Sequence, residues 1–547
     1  MTTQSGILSR FQSERSIRII QLIVGAIAIG IIFWQLQFST SAICCGDFDG
    51  YYHIRWAQAL WEGMKSRTFP PEFPWLPLTT LNPKDYVDHH LLFHILQIPF
   101  AASSDPRLGA KISSALFGGL AVFSCYLLLM HYRVRYPLVW LIALLACSVP
   151  FLFRMNMAKA PPIAIIYLIV AIHLFFKRKY WPLLPLAVVF TWTYDLFPLL
   201  VMAALFWVIT IAITEMRFEW RPLVFVVVGC IAGLVINPYF PENLQLLVEH
   251  MKIKLTVTDF STKVGNEWYP YDSWEFLGNS AVACIAMLVG YLAFEPSERR
   301  RAHYPLFFLL FSTALMIMNM RWKRISEYWP PFAILFAGFT LKPWLDGYRP
   351  YLSRLPSDVL EELKPFLDRE GFPAPEGDTK LRDVLRAIGV VVVALVLSGF
   401  LFVNLRASSE EIGQSEPHQY YRGGAEWMRA NVPAGQIIFN TDWDDFPRLF
   451  YYDPSHYYVS GLDPSYLFEK DPDLSRLYDR ITLGQEENPG PLIRDRFGAR
   501  YVFSDNSHHD FFEHARLSGW FDIVYEDTQC TIMYIRDEKI DDTPAFE

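Results

Sequence analysis

Two clusters of ionisable residues, about forty positions apart, hold the side chains best able to do chemistry. The first reads Asp47-Phe48-Asp49-Gly50-Tyr51-Tyr52-His53-Ile54-Arg55, and the second Asp88-His89-His90-Leu91-Leu92-Phe93-His94. Carboxylates and imidazoles gathered in this way act as general bases or hold a divalent ion. His53 follows Asp49 by one helical turn, so both can face one site. His90 and His94 have the same spacing, which suits a metal pair or a shared phosphate. A simpler reading makes Asp49 the N-cap of a helix and the second cluster a polar entry into an apolar segment. A cap accounts for one Asp, but not for Asp47, His53 and Arg55 in the same turn. Asp49 is therefore a candidate base, and Asp49, Asp88 and His90 are candidate ligands for a divalent cation such as Mg or Mn.

The rest of the chain is built to hold these clusters at a membrane. Of the 547 residues 52% are hydrophobic, 16% aromatic and only 19% charged, which sets the chain apart from an average soluble protein. The net charge of -8 and the lack of a long basic run argue against a nucleic-acid partner. Apolar runs at 17–38, 108–130, 136–153, 161–176, 181–193, 196–214, 223–239, 281–294, 304–318, 326–341 and 384–403 give about eleven expected spans. The fold class is thus a polytopic α-helical membrane protein, followed by a soluble α/β tail. Basic stretches at 131–135, 177–179 and 298–301 fall on the side of the N-terminus, which the positive-inside rule makes cytoplasmic. The loops 39–107 and 241–278 and the tail then lie on the extracytoplasmic side, with a bacterial inner membrane expected. Cys125, Cys147, Cys230 and Cys284 fall inside apolar runs as small core residues, and adjacent Cys44 and Cys45 are not expected to bridge each other.

Arg154, Lys159 and the stretch Arg321-Trp322-Lys323-Arg324 sit at external ends of spans, against the orientation rule. An anionic ligand at the outer membrane face explains them, and an internal pair such as Arg324 with Glu327 is the alternative. In the first loop, residues 50–64 read as an interfacial helix with Tyr52, Trp56, Leu60 and Met64 on one stripe. The second loop carries Asp259 and Glu267, the latter flanked by Asn266 and Trp268-Tyr269-Pro270. The tail, 405–547, alternates helical stretches at 421–430 and 474–480 with strand-like runs at 436–439, 457–459, 500–503, 523–525 and 530–535. Trp443 and Asp444 follow the first of these strands, where α/β domains bind ligands, and are candidates for holding an acceptor. The stretch 342–382 reads as a solvated cytoplasmic linker. The domain division is 1–404, membrane, and 405–547, soluble.

Taken together these residues resemble the polyprenyl-linked, multi-spanning glycosyltransferases of the GT-C class, most of all the catalytic subunit of oligosaccharyltransferase. That family has an Asp in its first external loop followed by Gly or Pro and then aromatics, as in Asp49-Gly50-Tyr51-Tyr52-His53. Thr256-Val257-Thr258-Asp259 resembles its Ser/Thr-x-Ser/Thr-Glu element, with Asp for Glu. Arg324-Ile325-Ser326-Glu327-Tyr328-Trp329-Pro330 fits the late Arg that contacts the lipid pyrophosphate there, and Asp442-Trp443-Asp444-Asp445 partly resembles the Trp-Trp-Asp element that recognises the acceptor. The family's second acidic metal-binding element has no counterpart. Its place reads Arg154-Met155-Asn156-Met157-Ala158-Lys159-Ala160-Pro161. Either Asp88 and the histidines supply the missing ligands, or a basic group, Lys159, does the metal's work on the leaving phosphate.

The resemblance implies an integral membrane glycosyltransferase that takes a sugar or glycan from a polyprenyl-(pyro)phosphate donor. Its partners would be that donor, membrane lipid and a protein or glycan acceptor. Asp49 and Glu267 would be catalytic, and Arg154, Lys159, Arg321, Arg324, Trp443 and Asp444 would bind substrate. The reading from another class is a non-enzymatic membrane protein that binds or transports a lipid-linked glycan with the same cations.

Overall fold

Long apolar sequence with few chain breakers forms helices, because each residue in a bilayer must satisfy its backbone within its own segment. The computed structural model describes residues 14–45, 48–248, 266–295, 302–346 and 379–540. Five of its helices are long and apolar enough to cross a membrane, at Arg15–Gln37, Pro106–His131, Pro198–Glu215, His303–Arg321 and Arg386–Gly413. Two bent pairs, Pro137–Leu145 with Val149–Met155 and Ser273–Asn279 with Ala281–Ala293, raise the number to seven among the described residues if each counts as one span. The remaining expected spans are helices too, but short ones: Pro161–Phe176, Leu183–Thr193, Arg221–Val235 and Trp329–Leu345. Leu183–Thr193 and Arg221–Val235 pack face to face. Gly229 permits this approach, since a Cβ there would meet Ala187 Cβ at 2.7 Å. Trp192 Nε1 then reaches the Gly233 carbonyl at 2.8 Å.

The first loop does not float on the bilayer surface. Its helix Asp49–Ser66 has the expected four-residue stripe, but Tyr52, Trp56 and Leu60 are fully packed rather than facing lipid. They press against the helix Leu91–Ala101 on one side and the tail helix Phe446–Tyr452 on the other. Further along, Tyr458 N donates to the Trp75 carbonyl (2.8 Å), Thr80 N to the Tyr466 carbonyl (3.1 Å), and Trp75 Nε1 to the Pro454 carbonyl (2.7 Å). Loop and tail therefore share one apolar core. Cys44 and Cys45 just before this helix are bonded to each other, contrary to the expectation from their adjacency.

The tail is α/β, as its alternating pattern requires. Strands β1 (Ile437–Asn440), β2 (Tyr457–Tyr458), β3 (Tyr501–Asp505), β4 (Phe521–Glu526) and β5 (Cys530–Ile535) form one sheet in the order β2-β1-β3-β5-β4. β2, β1 and β3 run parallel and β5 and β4 antiparallel, so the carboxyl ends of β1 and β3 share an edge. The division after residue 404 falls inside the helix Thr379–Gly413, which leads unbroken from the apolar segment towards the tail.

One buried guanidinium fastens the tail to the first loop. Arg448 is 0% exposed. It donates to the carbonyls of Glu416 (2.9 Å) and Pro417 (2.6 Å) and lies over the rings of Phe48 (4.2 Å) and Tyr51 (4.8 Å). Arg448→Ala leaves these carbonyls without a donor and should destabilise the tail by about 2–4 kcal/mol. Differential scanning calorimetry in detergent, with proteolysis of the 405–420 segment as a second readout, checks this.

Candidate functional site

Asp49 is the first residue of its helix, and Phe48 takes the N-cap place without any side-chain cap bond. The carboxylate is thus not spent on capping. Its Oδ2 pairs with Lys159 Nζ at 2.8 Å. Lys159 stands in the turn between the helices Val149–Met155 and Pro161–Phe176, with its backbone N–H donating to the Met157 carbonyl. The pair joins the first loop to the membrane helices.

Beside it lies a second ionic group. Arg154, in the last turn of Val149–Met155, contacts Glu267 at 2.6 Å and Glu327 at 2.6 Å. Glu267 sits in a one-turn 3₁₀ helix, Asn266–Trp268, and also pairs with Arg324 of the turn Lys323–Glu327. Arg324 donates to the Tyr194 hydroxyl at 2.7 Å and lies 5.3 Å from the Trp268 ring. Burial alone would raise the Glu267 carboxyl. Arg324 and Arg154 outweigh it and hold the group far below the usual carboxylate range. Glu327, the alternative partner for Arg324, contacts Arg154 instead.

Two cavities meet at these charges. The larger, about 600 Å³, runs past Val149, Pro150, Phe153 and Ala407 on its apolar side. Its polar side carries Arg154, Lys159, Lys323 and Glu267, and its far wall is Trp443 and Asp444 of the tail. The smaller, about 80 Å³, is lined by His53, His89, His90, Tyr194, Asp195 and Tyr466. Asp49, Lys159, Glu267, Leu462 and Asp463 belong to both. Of the residues singled out in the sequence, Asp49, Glu267, Arg154, Lys159, Arg324, Trp443 and Asp444 come to this junction. Arg321 does not. It stands against the Trp322 ring at 5.8 Å, outside the lining of both cavities. Asp47 and Asp259 lie outside the described residues.

The ligand set Asp49, Asp88 and His90 is not assembled. Asp88 is buried, and its oxygens accept from Trp56 Nε1 (2.9 Å), His94 Nδ1 (2.8 Å) and the His90 backbone N–H (3.0 Å). His90 stacks on the Tyr194 ring at 5.4 Å. Asp49 has Lys159 as its cation. Among the described residues no three His, Cys, Asp or Glu side chains are grouped to hold a metal. The spacing of 49, 88 and 90 could not reveal that each had another partner.

At the tail wall, Asp442, Asp444, Asp445 and Asp505 crowd the carboxyl edge of the sheet. Burial and the neighbouring Asp442 push the Asp444 carboxyl up to about 7.

No protein-family model matches the chain, and no curated protein matches it by sequence. Solved structures do. The Archaeoglobus fulgidus oligosaccharyltransferase AglB, in complex with an inhibitory peptide and a dolichol-phosphate, aligns at a TM-score of 0.58. That match has 12% identity and covers 89% of this chain and 69% of AglB. The fold is that of the GT-C membrane glycosyltransferases. An Archaeoglobus fulgidus oligosaccharyltransferase tethered to an acceptor peptide containing the NVT sequon matches at 0.54, with 12% identity over 97% of this chain and 75% of that one. ArnT from Cupriavidus metallidurans, bound to undecaprenyl phosphate, matches at 0.52, with 13% identity over 93% of this chain and 97% of ArnT.

Two substitutions test the electrostatics. Glu267→Gln removes the charge that separates Arg154 from Arg324 and should cost about 3 kcal/mol of stability, measured by thermal unfolding in detergent. Asp444→Asn should act with the opposite sign. A carboxyl raised to about 7 stays protonated in the folded tail while the unfolded chain ionises near its ordinary 3.8. Wild-type stability is therefore full below pH 4 and falls as pH rises towards 7. The variant should melt about 2–4 °C higher at pH 8 and no higher at pH 4.

Proposed function

We propose that the protein is an integral membrane glycosyltransferase that moves a sugar or glycan from a polyprenyl-phosphate or -pyrophosphate donor to an acceptor on the extracytoplasmic face. The observation that carries this is the Asp49–Lys159 ion pair at the point where a cavity lined by apolar residues, several carboxylates and the cations Arg154, Lys159 and Lys323 meets a second, polar one. A lipid phosphate needs both an apolar wall and fixed cations, and both are present on one face. The structural neighbours that carry dolichol-phosphate and undecaprenyl phosphate support the same donor class.

The side of the membrane rests on charge. The helix Pro161–Phe176 starts beside Lys159 and ends at Lys177 and Arg178, and Pro106–His131 ends at Arg133 and Arg135. The site occupies the opposite end from these basic turns, and the positive-inside rule supports an outside position.

In this reading Asp49 orients the attacking group of the acceptor. Lys159 and Arg324 meet the negative charge that grows on the departing phosphate oxygen, and Arg154 holds Glu267 and Glu327 in place around them. Cations already fixed where charge develops lower the barrier without reorganising. The tail presents the acceptor between Trp443 and Asp444. Among the described residues no group of side chains fits the divalent cation that the resemblance implies, so no step is assigned to one, and Lys159 supplies the positive charge.

The test is transfer from a mixed pool of radiolabelled undecaprenyl-phosphate-linked sugars by the purified protein in detergent, with and without EDTA. Asp49→Ala and Lys159→Ala should each reduce transfer at least about 100-fold while the protein still folds, and EDTA should leave the wild type unchanged. Full activity in Asp49→Ala ends the mechanism. Saturable lipid binding without transfer would favour the binding or transport protein instead.

A further inference from the structure

Four buried side chains of the first loop are hydrogen-bonded in a line that no part of the charge network above requires. Trp56 Nε1 donates to Asp88, Asp88 accepts from His94 Nδ1 at 2.8 Å, and His94 Nε2 lies 2.7 Å from His53 Nδ1. His94 is fully buried and His53 is 4% exposed, its ring lining the smaller cavity with Asp49 and Lys159. A carboxylate next to Nδ1 fixes the tautomer of His94 as Nδ1–H. The bare Nε2 of His94 must then accept from His53 Nδ1–H. That leaves Nε2 of His53 as the lone pair of a residue that lines the smaller cavity.

A structural network would end in apolar surroundings with every nitrogen satisfied. This one ends at a residue lining the smaller cavity, which also holds Asp49 and Lys159. The groups around His53 agree: His90 at 5.5 Å and Phe93 at 5.2 Å from the second cluster, Tyr52 at 5.2 Å, with His89 and Lys159 also near. Burial, then His94 and Lys159, disfavour a charged His53, so a proton it receives must be passed on. Asp49, by contrast, already holds the Lys159 ammonium and is poorly placed to take a proton.

We propose that His53 is the proton acceptor of the reaction, and that His94 and Asp88 position it and take over the charge it receives. This rests on the glycosyltransferase reading above. As an acceptor hydroxyl attacks C1 of the sugar, the new O–C1 bond forms and the C1–O(phosphate) bond breaks, its electron pair leaving on the phosphate. The hydroxyl O–H breaks and its proton passes to His53 Nε2. The His53 Nδ1 proton moves to His94 Nε2, so the positive charge comes to rest beside the Asp88 carboxylate. His94 and Asp88 are positioning residues, since neither lines the reacting space shared with Asp49.

The experiment measures kcat and KM for the radiolabelled undecaprenyl-phosphate sugar pool in wild type, His53→Gln, Asp88→Asn and the double variant. His53→Gln should lower kcat about 100-fold or more with KM changed less than about twofold. Asp88→Asn should lower kcat similarly, and the double variant should be no slower than the slower single one, because the residues act as a unit. A proton inventory on the wild type in H₂O–D₂O mixtures, which needs no variant to fold, should be curved, reporting two protons in flight. His53→Gln with more than half of wild-type kcat, multiplying losses in the double variant, or a linear inventory would overturn the relay while Asp49 and Lys159 dependence leaves the transferase standing. A wild type that binds the lipid without turnover would overturn both.

Discussion

The contact of Arg154 with two glutamates, and of one of those with Arg324, is the constraint on which the site depends. Each of these groups would be expensive to bury alone, and together they neutralise one another. They come from three short segments with little regular structure: a helix end, a one-turn 3₁₀ helix and the turn after the span His303–Arg321. None of these would keep a fixed path by its own propensity. The ionic bonds fix the paths, and the position of Lys159 follows from the first. Internal pairing accounts for cations at span ends where the orientation rule did not lead one to expect them.

Much of the architecture was legible because it rests on periodicity. The strand runs at 530–535 and 457–459 and the helices at 421–430 and 474–480 lie on the elements found, within a residue or two. The spans were legible as helices but not as crossings. The bends at 146–148 and 280 and the short helices near 181–235 depend on packing against neighbours, which hydropathy does not carry. The site was legible as a list of reactive residues, since charge in an apolar chain needs a reason. Its pairings were not. Asp49 meets Lys159 across 110 positions of chain, and nothing in either segment names the other. Arg448 drew no notice at all, because a lone arginine in a soluble tail is ordinary until its neighbours prove to be Phe48 and Tyr51.

The histidines show the same limit from another direction. His90 and His94, one turn apart, suggested a metal pair on spacing alone. In the fold they diverge: His90 stacks on Tyr194, while His94 turns inward to Asp88 and His53. A four-residue spacing places two side chains on one face of a helix, but which neighbours claim them is a tertiary matter. Here the claim comes from Trp56, whose indole holds the Asp88 carboxylate from one side while His94 holds it from the other.

The sheet order carries a last consequence. The loop with Trp443 and Asp444 leaves β1 at the carboxyl edge it shares with β3, while Asp49, Lys159 and the arginines belong to frames outside the sheet. The residues proposed to meet the acceptor and those proposed to meet the donor therefore stand on separate segments of the chain. The loop after β1 can change length and composition without touching a backbone bond of the ionic cluster. If the proposed function holds, a chain of this design is open to retargeting by grafting that one loop while the ionic cluster stays put.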